Sequence, residues 1–343
     1  MLRRTRCWRC CKRRTETEIL ATVVTRSNAG SSGLDFLIGG GEMGARMRAF
    51  DWRRTPLGAA ATWPQSLKTI VRVMLDSRYA MWMLWGPEFT FFCNDAYLPT
   101  VGLKRDWVLG ARSDKVWEEI WTDIGPRIQR VLEEGKATWD EALLLFLERS
   151  GFPEETYHTF SYSPVYDDDN RVAGMLCVVT EVTEGVISER RLRVLRDLAQ
   201  WPRANTTQEA CEHLLGTLAK DPFDIPFAAL YALESAADSL QLTHYYGKLP
   251  QPLLPPEIRL TDPASPWPIA AALRTGLPQL VELPDGEQAI PAPLWPERIG
   301  RALVLPVQHG SATSLAALIA GVSPRRTLDG AYRGFFNLVA RQL

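Results

Sequence analysis

Few residues of this chain have a type and spacing that could do chemistry. Only four histidines occur in 343 residues, His158, His213, His244 and His309. A phosphoacceptor histidine would stand on a long helix in an S-H-E-[FL]-R-x-P-L setting, and none of the four does. His213 precedes Leu214-Leu215 with no proline after it. His158 lies mid-strand between Tyr157 and Thr159. Its ring titrates near neutrality and could sense protons or touch a ligand, but a hydrogen-bonded sheet histidine is the plainer reading. Cys7-Trp-Arg-Cys10-Cys11 has C-x-x-C spacing, yet zinc takes four ligands and no second pair lies nearby. Asp167-Asp-Asp-Asn170 offers oxygens but lacks the Gly and terminal Glu of a calcium loop, so it reads as a solvated hairpin turn. Gly39-Gly-Gly-Glu-Met-Gly44 is no phosphate loop, because no Gly-Lys-[Ser/Thr] follows it; it reads as a linker break. No nucleophile and base are spaced so as to orient one another. The expectation is no catalytic residue and no metal site.

Apolar residues make up 46% and charged residues 23%, as in soluble globular proteins. The net charge of −1 gives no field that would draw the chain to nucleic acid or a membrane, and neither is expected as a partner. The longest apolar runs, such as Ala142 to Leu147, fall far short of the ~20 residues that span a bilayer. No apolar stretch of signal-peptide type follows the basic start. Six cysteines in a chain of this length are no disulfide framework, and Cys93, Cys177 and Cys211 read as buried thiols. These features point to the cytoplasm and to about two domains.

The elements that would position any site follow from periodicity. Residues 1–35 carry seven Lys or Arg within Met1 to Arg14 and then Ser27-Asn-Ala-Gly-Ser-Ser-Gly33; disorder is expected, with an over-extended start codon as the alternative. Residues 36–79 form a lead-in. A turn-rich loop over Phe50-Asp-Trp52 and Thr55-Pro-Leu-Gly58 gives way to a helix after Thr62, the expected N-cap, with apolar Leu67, Ile70, Val71, Met74 and Leu75. Strands are predicted over 80–85, 88–93, 138–147, 155–165 and 171–182, half-buried with one face outward. A helix over 117–134 ends at Gly135. Over 182–200 the period turns helical, for about 28 Å. Its seam is Ile187, Val194 and Leu198, with Leu192, Leu195 and Ala199 beside it, and Trp201-Pro202 stops it. Further on, a helix at 208–219, strands at 227–233, 240–246, 302–307 and 315–322, and a last helix from about Asp329 are predicted. The chain stops inside that helix. Residues 250–298 are rich in proline and read as a long loop excursion.

The run from Ala80 to Glu184 resembles the PAS family. The marks are a strand pair leading into Asn94-Asp-Ala-Tyr97 and a T-x-x-T-E-like exit, Thr180-Glu-Val-Thr-Glu184. Residues 206–343 are similar to GAF domains, through Trp267-Pro-Ile-Ala-Ala-Ala-Leu-Arg-Thr-Gly-Leu-Pro278. The strings Gly39–Gly44, Asp51-Trp52, Thr55–Gly58 and Trp63-Pro-Gln-Ser-Leu67 resemble the leader before PAS in one group of hybrid sensor histidine kinases. Gly39–Gly44 is also superficially similar to the G-G-[DE]-E-F signature of diguanylate cyclases, but Met43 replaces the second acid. The resemblance implies an α+β fold. A PAS domain (80–184), a five-stranded antiparallel sheet with a helical flank, is joined by a signalling helix (182–202) to a GAF domain (206–343), an antiparallel sheet with helices.

It further implies a non-catalytic input module for two-component phosphorelay signalling. The alternatives are a truncated record of a full histidine kinase and a protein–protein adaptor without a small ligand. Candidate pocket residues are Trp82, Phe91, Asn94, Tyr97, Trp117, Trp121, Phe160 and Tyr162. Candidate relay residues are Thr180, Glu181, Thr183, Glu184, Ile187, Val194, Leu195 and Leu198. Expected partners are a second copy through the helix seam, a kinase core or response regulator, and a small molecule. No cofactor is expected. Haem needs an axial histidine, and residues 107–134 hold none. Flavin photochemistry needs an N-C-R-F-L-Q cysteine, whereas Cys93 precedes Asn94 at a strand end. A bilin needs a Cys-His pair on a late loop, whereas Cys211-Glu-His213 falls in a helix.

Overall fold

Two aspartates organise the first half of the chain. The computed structural model describes residues 33–200, 207–233, 238–286, 289–307 and 316–342. The expectations for residues 1–32 and for Trp201-Pro202 lie outside them. Gly39, Gly40 and Gly41 all take left-handed backbone and turn the chain into helix α1, Gly41–Ala49. The break expected there is therefore a helix start. Asp95 caps α1, accepting from the backbone N–H of Glu42 (2.8 Å) and Met43 (2.7 Å). A Cβ on Gly41 would lie 1.8 Å from the Asp95 carboxylate, so only glycine fits. Helix α2, Gln65–Asp76, is capped in the same way from afar. Asp168 accepts from Gln65 N–H (3.0 Å) and Ser66 N–H (2.8 Å). Thr62, the expected cap, instead donates to the Ala59 carbonyl. A carboxylate at a helix N-terminus satisfies orphan donors and opposes the dipole.

These two helices lean on a five-stranded antiparallel sheet in the order β2-β1-β5-β4-β3. Its strands are β1 Ala80–Trp85, β2 Thr90–Cys93, β3 Thr138–Leu147, β4 Glu154–Tyr166 and β5 Val172–Glu181. Short helical turns between residues 95 and 120 and helix α3, Trp121–Glu134, cover one face. Helix α3 buries Ile124, Ile128 and Val131 and ends at left-handed Gly135. It starts four residues later than periodicity predicts, because Trp117 turns inward ahead of it.

The sheet is not half-exposed at β1 and β2, as expected. All four residues of β2 are buried. Trp52 of the lead-in stacks on Phe92 at 5.1 Å and Trp63 meets the same ring edge-on at 5.6 Å. The lead-in thus shares one core with the sheet. At the far hairpin Asp167 accepts from the N–H of Asp169 and Arg171, and Asn170 takes the left-handed backbone of a tight turn.

Helix α4, Thr183–Ala199, leaves β5 directly. The second half holds α5 Thr207–Leu218, α6 Ile269–Thr275 and α7 Gly330–Gln342. Its six-stranded antiparallel sheet runs β8-β7-β6-β13-β12-β9, made of β6 Ala228–Leu233, β7 Ser239–Tyr246, β8 Glu257–Arg259, β9 Gln279–Glu282, β12 Arg301–Val307 and β13 Ala316–Gly321. A small pair, β10 Ile290–Pro291 and β11 Arg298–Ile299, lies within the proline-rich stretch, which also carries β8, α6 and β9. That stretch is therefore more structured than expected. One sheet face packs on α4, α5 and α7. Trp267, Ile269 and Leu254 help to cover the other.

Candidate functional site

The aromatic core of the first sheet encloses a small cavity of about 20 Å³. Five of the eight expected pocket residues, Trp82, Tyr97, Trp117, Phe160 and Tyr162, line it, together with Thr100 and His158 among others. Phe91 stands just behind, stacked on Trp82 at 5.5 Å. The rings pack against one another: Trp82 on Tyr97 at 6.4 Å, Tyr97 on Trp117 at 5.9 Å, Phe160 on Tyr162 at 4.6 Å. A space of this size holds about one water molecule and nothing larger. Trp117 Nε1 is buried with no hydrogen-bond partner.

Two expected pocket residues lie elsewhere. Asn94 is buried outside the cavity, where its Oδ1 accepts from Met81 N–H (3.0 Å). Its Nδ2 donates to the carbonyls of Met74 (3.1 Å) and Tyr79 (2.7 Å). It ties the end of α2 to β1 and has no donor left for a ligand. Trp121 lies on the outer side of α3 against Phe89, at 6.3 Å. Half-buried at the start of α3, it packs against the edge of the core and not into the cavity.

His158 lines the cavity, 3.1 Å from Thr156 Oγ1. Burial pushes its pKa down to about 4, so the ring is neutral at pH 7. Burial pushes the Cys93 thiol up to about 12 and Cys177 well above its usual range, the reverse of a reactive thiolate. Among the described residues no group of three or more His, Cys, Asp or Glu is placed to hold a metal ion, and no helix is long and apolar enough to cross a membrane.

The expected relay residues form the corner between β5 and α4. Arg149 clasps Glu181 with two bonds, 2.7 and 2.8 Å, and pairs Glu154 at 2.9 Å. Thr183 is buried. Its hydroxyl accepts from Tyr157 N–H and donates to Glu181, both at 2.9 Å. Glu184 meets Arg326 at 2.8 Å. Thr180 is exposed and takes no part in the corner.

Ile187, Val194 and Leu198 are buried, as a seam should be, but by their own chain. Val194 and Leu198 pack with Leu214 and Leu215 of α5 and Phe335, Phe336 and Val339 of α7, and Leu195 is partly buried beside them. The expectation that a second copy must cover this seam is thereby corrected. Helix α7 arrives from more than a hundred residues away, and local periodicity carries no trace of it.

The residues that sequence reasoning missed are arginines. Arg190 of α4 reaches Glu155 of β4 at 2.7 Å, Asp224 at 2.8 Å and Asp221 at 3.3 Å. Its guanidinium lies over Phe223 at 4.7 Å. Arg191 holds Asp224 at 2.7 Å and lies over Tyr332 at 4.2 Å. Arg325 pairs Glu297 at 2.8 Å and lies over Phe146 of β3 at 3.9 Å and Trp295 at 4.5 Å. Its carbonyl accepts from Glu155 N–H. The only sequence signal was two adjacent arginines on an otherwise amphipathic helix.

Residues 75–186 match the family described as PAS fold, about a third of the chain. No curated protein matches. Similar solved structures include a sensory box sensor histidine kinase from Vibrio cholerae, 13% identical over 34% of this chain and 90% of that one, with a TM-score of 0.25. The GAF domain of a phosphoenolpyruvate-protein phosphotransferase from Coxiella burnetii is 16% identical over 45% and 89%, with a TM-score of 0.33. Free methionine-R-sulfoxide reductase from Neisseria meningitidis is 13% identical over 46% and 86%, with a TM-score of 0.33. The fold class is α+β. A PAS unit is joined by a helix to a second antiparallel sheet unit, and GAF domains are among the solved structures similar to this chain.

Proposed function

We propose that the chain is a non-catalytic sensory input module of two-component signalling, in which the state of the PAS sheet passes through α4 to the second unit. The observation that carries this reading is Arg190. One side chain on the connecting helix is bonded at once to the PAS sheet, through Glu155, and to the second unit, through Asp224 and Asp221. A shift of β4 therefore changes the packing of α4 on the second unit, which is the differential contact a relay needs. A kinase core or response regulator would read that change. The second copy, if the module works as a homodimer, is assigned to the side of α4 that carries exposed Leu192.

The test is hydrogen exchange in the full chain. Glu155→Gln should raise exchange in α5 and at the start of β6 by about tenfold, the scale of one lost charge-assisted bond. Exchange that rises only inside the PAS sheet would sink this route.

A second reading is an adaptor whose PAS sheet docks another protein with no small ligand. The tight aromatic packing around a cavity of about 20 Å³ favours it over a small-molecule receptor. Enzymatic reduction of a sulfoxide has less support. The second unit carries one cysteine, Cys211, and burial raises its pKa.

A further inference from the structure

The junction between the two units carries an uneven set of charges. Three carboxylates, Glu155, Asp221 and Asp224, face two guanidinium groups, Arg190 and Arg191. None of the three acids exposes more than 3% of its side chain. With every group charged, the cluster holds one buried negative charge in excess, which is costly in a low-dielectric setting. One proton removes the imbalance, and the geometry shows where it goes. Asp224 takes Arg190 and Arg191 at 2.7–2.8 Å. Glu155 takes Arg190 at 2.7 Å and the Tyr157 hydroxyl at 3.0 Å. Asp221 has only the longer 3.3 Å contact from Arg190 Nε and a 3.4 Å approach from Asp224 N–H. Its Oδ2 is buried with no partner.

We infer that Asp221 is a proton-operated latch at this junction, closed when its carboxyl is protonated and loosened when it ionises. The inference rests on the cluster alone and holds whatever the PAS unit senses. The elements packed around Asp221 bring no further unpaired buried charge among the described residues. Helix α4 brings Arg190 and Arg191, and β4 brings Glu155 and Tyr157. The loop after α5 brings Asp224 and exposed Lys220, whose charge stays in water. From β7 comes Tyr246, whose hydroxyl donates to the Ile225 carbonyl (2.9 Å). From α7 comes Tyr332, whose hydroxyl donates to the Asp224 carbonyl. Arg326 is engaged by Glu184 and Arg325 by Glu297.

Burial, and then the neighbouring Asp224, push the Asp221 carboxyl up from 3.8 to about 7, against the smaller pull of Arg190. Arg190 is shared among three acids, and the other two hold it more closely. The closed junction binds the proton more tightly than the open one. Its stabilisation is therefore complete below the ordinary aspartate value of 3.8 and is lost as pH rises through about 7.

The test follows amide exchange of the full chain from pH 5.5 to 8, corrected for the intrinsic pH dependence of exchange. Protection of α4 and of residues 219–226 should fall by about tenfold or more in the wild type as Asp221 ionises. It should stay level in Asp221→Asn, which keeps the shape of the protonated acid. Level protection in the wild type, or the same fall in Asp221→Asn, overturns the inference. A second measurement needs no variant: carboxyl-carbon NMR of the wild type. A midpoint for Asp221 near neutrality supports the latch, and one in the ordinary aspartate range refutes it.

Discussion

His158 shows how burial decides what a side chain can do. A histidine lining a domain's inner cavity invites a reading as a proton sensor, yet this one is 3% exposed and neutral. Because burial penalises the charged ring, a pKa that falls from 6.5 to about 4 makes folding about 3 kcal/mol less favourable in acid than at pH 7. That margin is whole above pH 6.5, shrinks steadily as pH falls below 6.5 and is gone by about 4. Urea unfolding of His158→Gln should show that much less acid destabilisation between pH 7 and 4.5 than the wild type. An equal loss in both proteins would place the acid sensitivity elsewhere. Asn94 makes the same point without titrating. Sequence pattern marked it as important, and it is, but as a backbone clamp whose amide satisfies Met81, Met74 and Tyr79. Residue type was legible in both cases; the partner that set the role was not.

At the scale of elements, periodicity identified strands β1 to β7, β12 and β13 and helices α2, α3, α4, α5 and α7 to within a few residues. Each has a strong apolar pattern of its own. It missed α1, because a glycine-rich start looks like a break until Asp95 closes on it from more than fifty residues away. It misjudged the cover on β2 for the same reason: Trp52 and Trp63 come from a segment that reads as loop. Helix α4 is the instructive case. Its apolar seam was read correctly and its partner was not. Leu195→Glu should therefore disturb the contact with α5 and α7, at a cost of about 2–4 kcal/mol if a charge is forced against that core. Leu192→Glu, on the exposed side, should leave stability unchanged and weaken any self-association seen by analytical ultracentrifugation. A Leu195→Glu protein with wild-type melting would contradict this packing.

At the scale of the molecule, the two sheets are joined by charge as well as by chain. Arg190, Arg191, Arg325 and Arg326 all bridge at the junction, and each is at most 15% exposed on its side chain. Pairs of this kind add little net stability over apolar packing but are costly to break singly, so they define one geometry rather than many. None of this was legible in advance, since ion pairs across 35 or 142 positions leave no local signature. The first unit's core is equally definite. With a cavity of about 20 Å³, native mass spectrometry of the intact chain should give the polypeptide mass alone. An added organic mass would count against this expectation.

The shared core of the lead-in and the first sheet has a practical corollary. The family match begins at residue 75, but Trp52, Trp63, Met43 and Met47 belong to the same interior as Phe92 and Met83. A fragment trimmed to that boundary would lose its rear wall and bare a greasy surface. Clumping of such a fragment in the test tube would be a wound left by the scissors, not a clue to how the intact protein finds its companions.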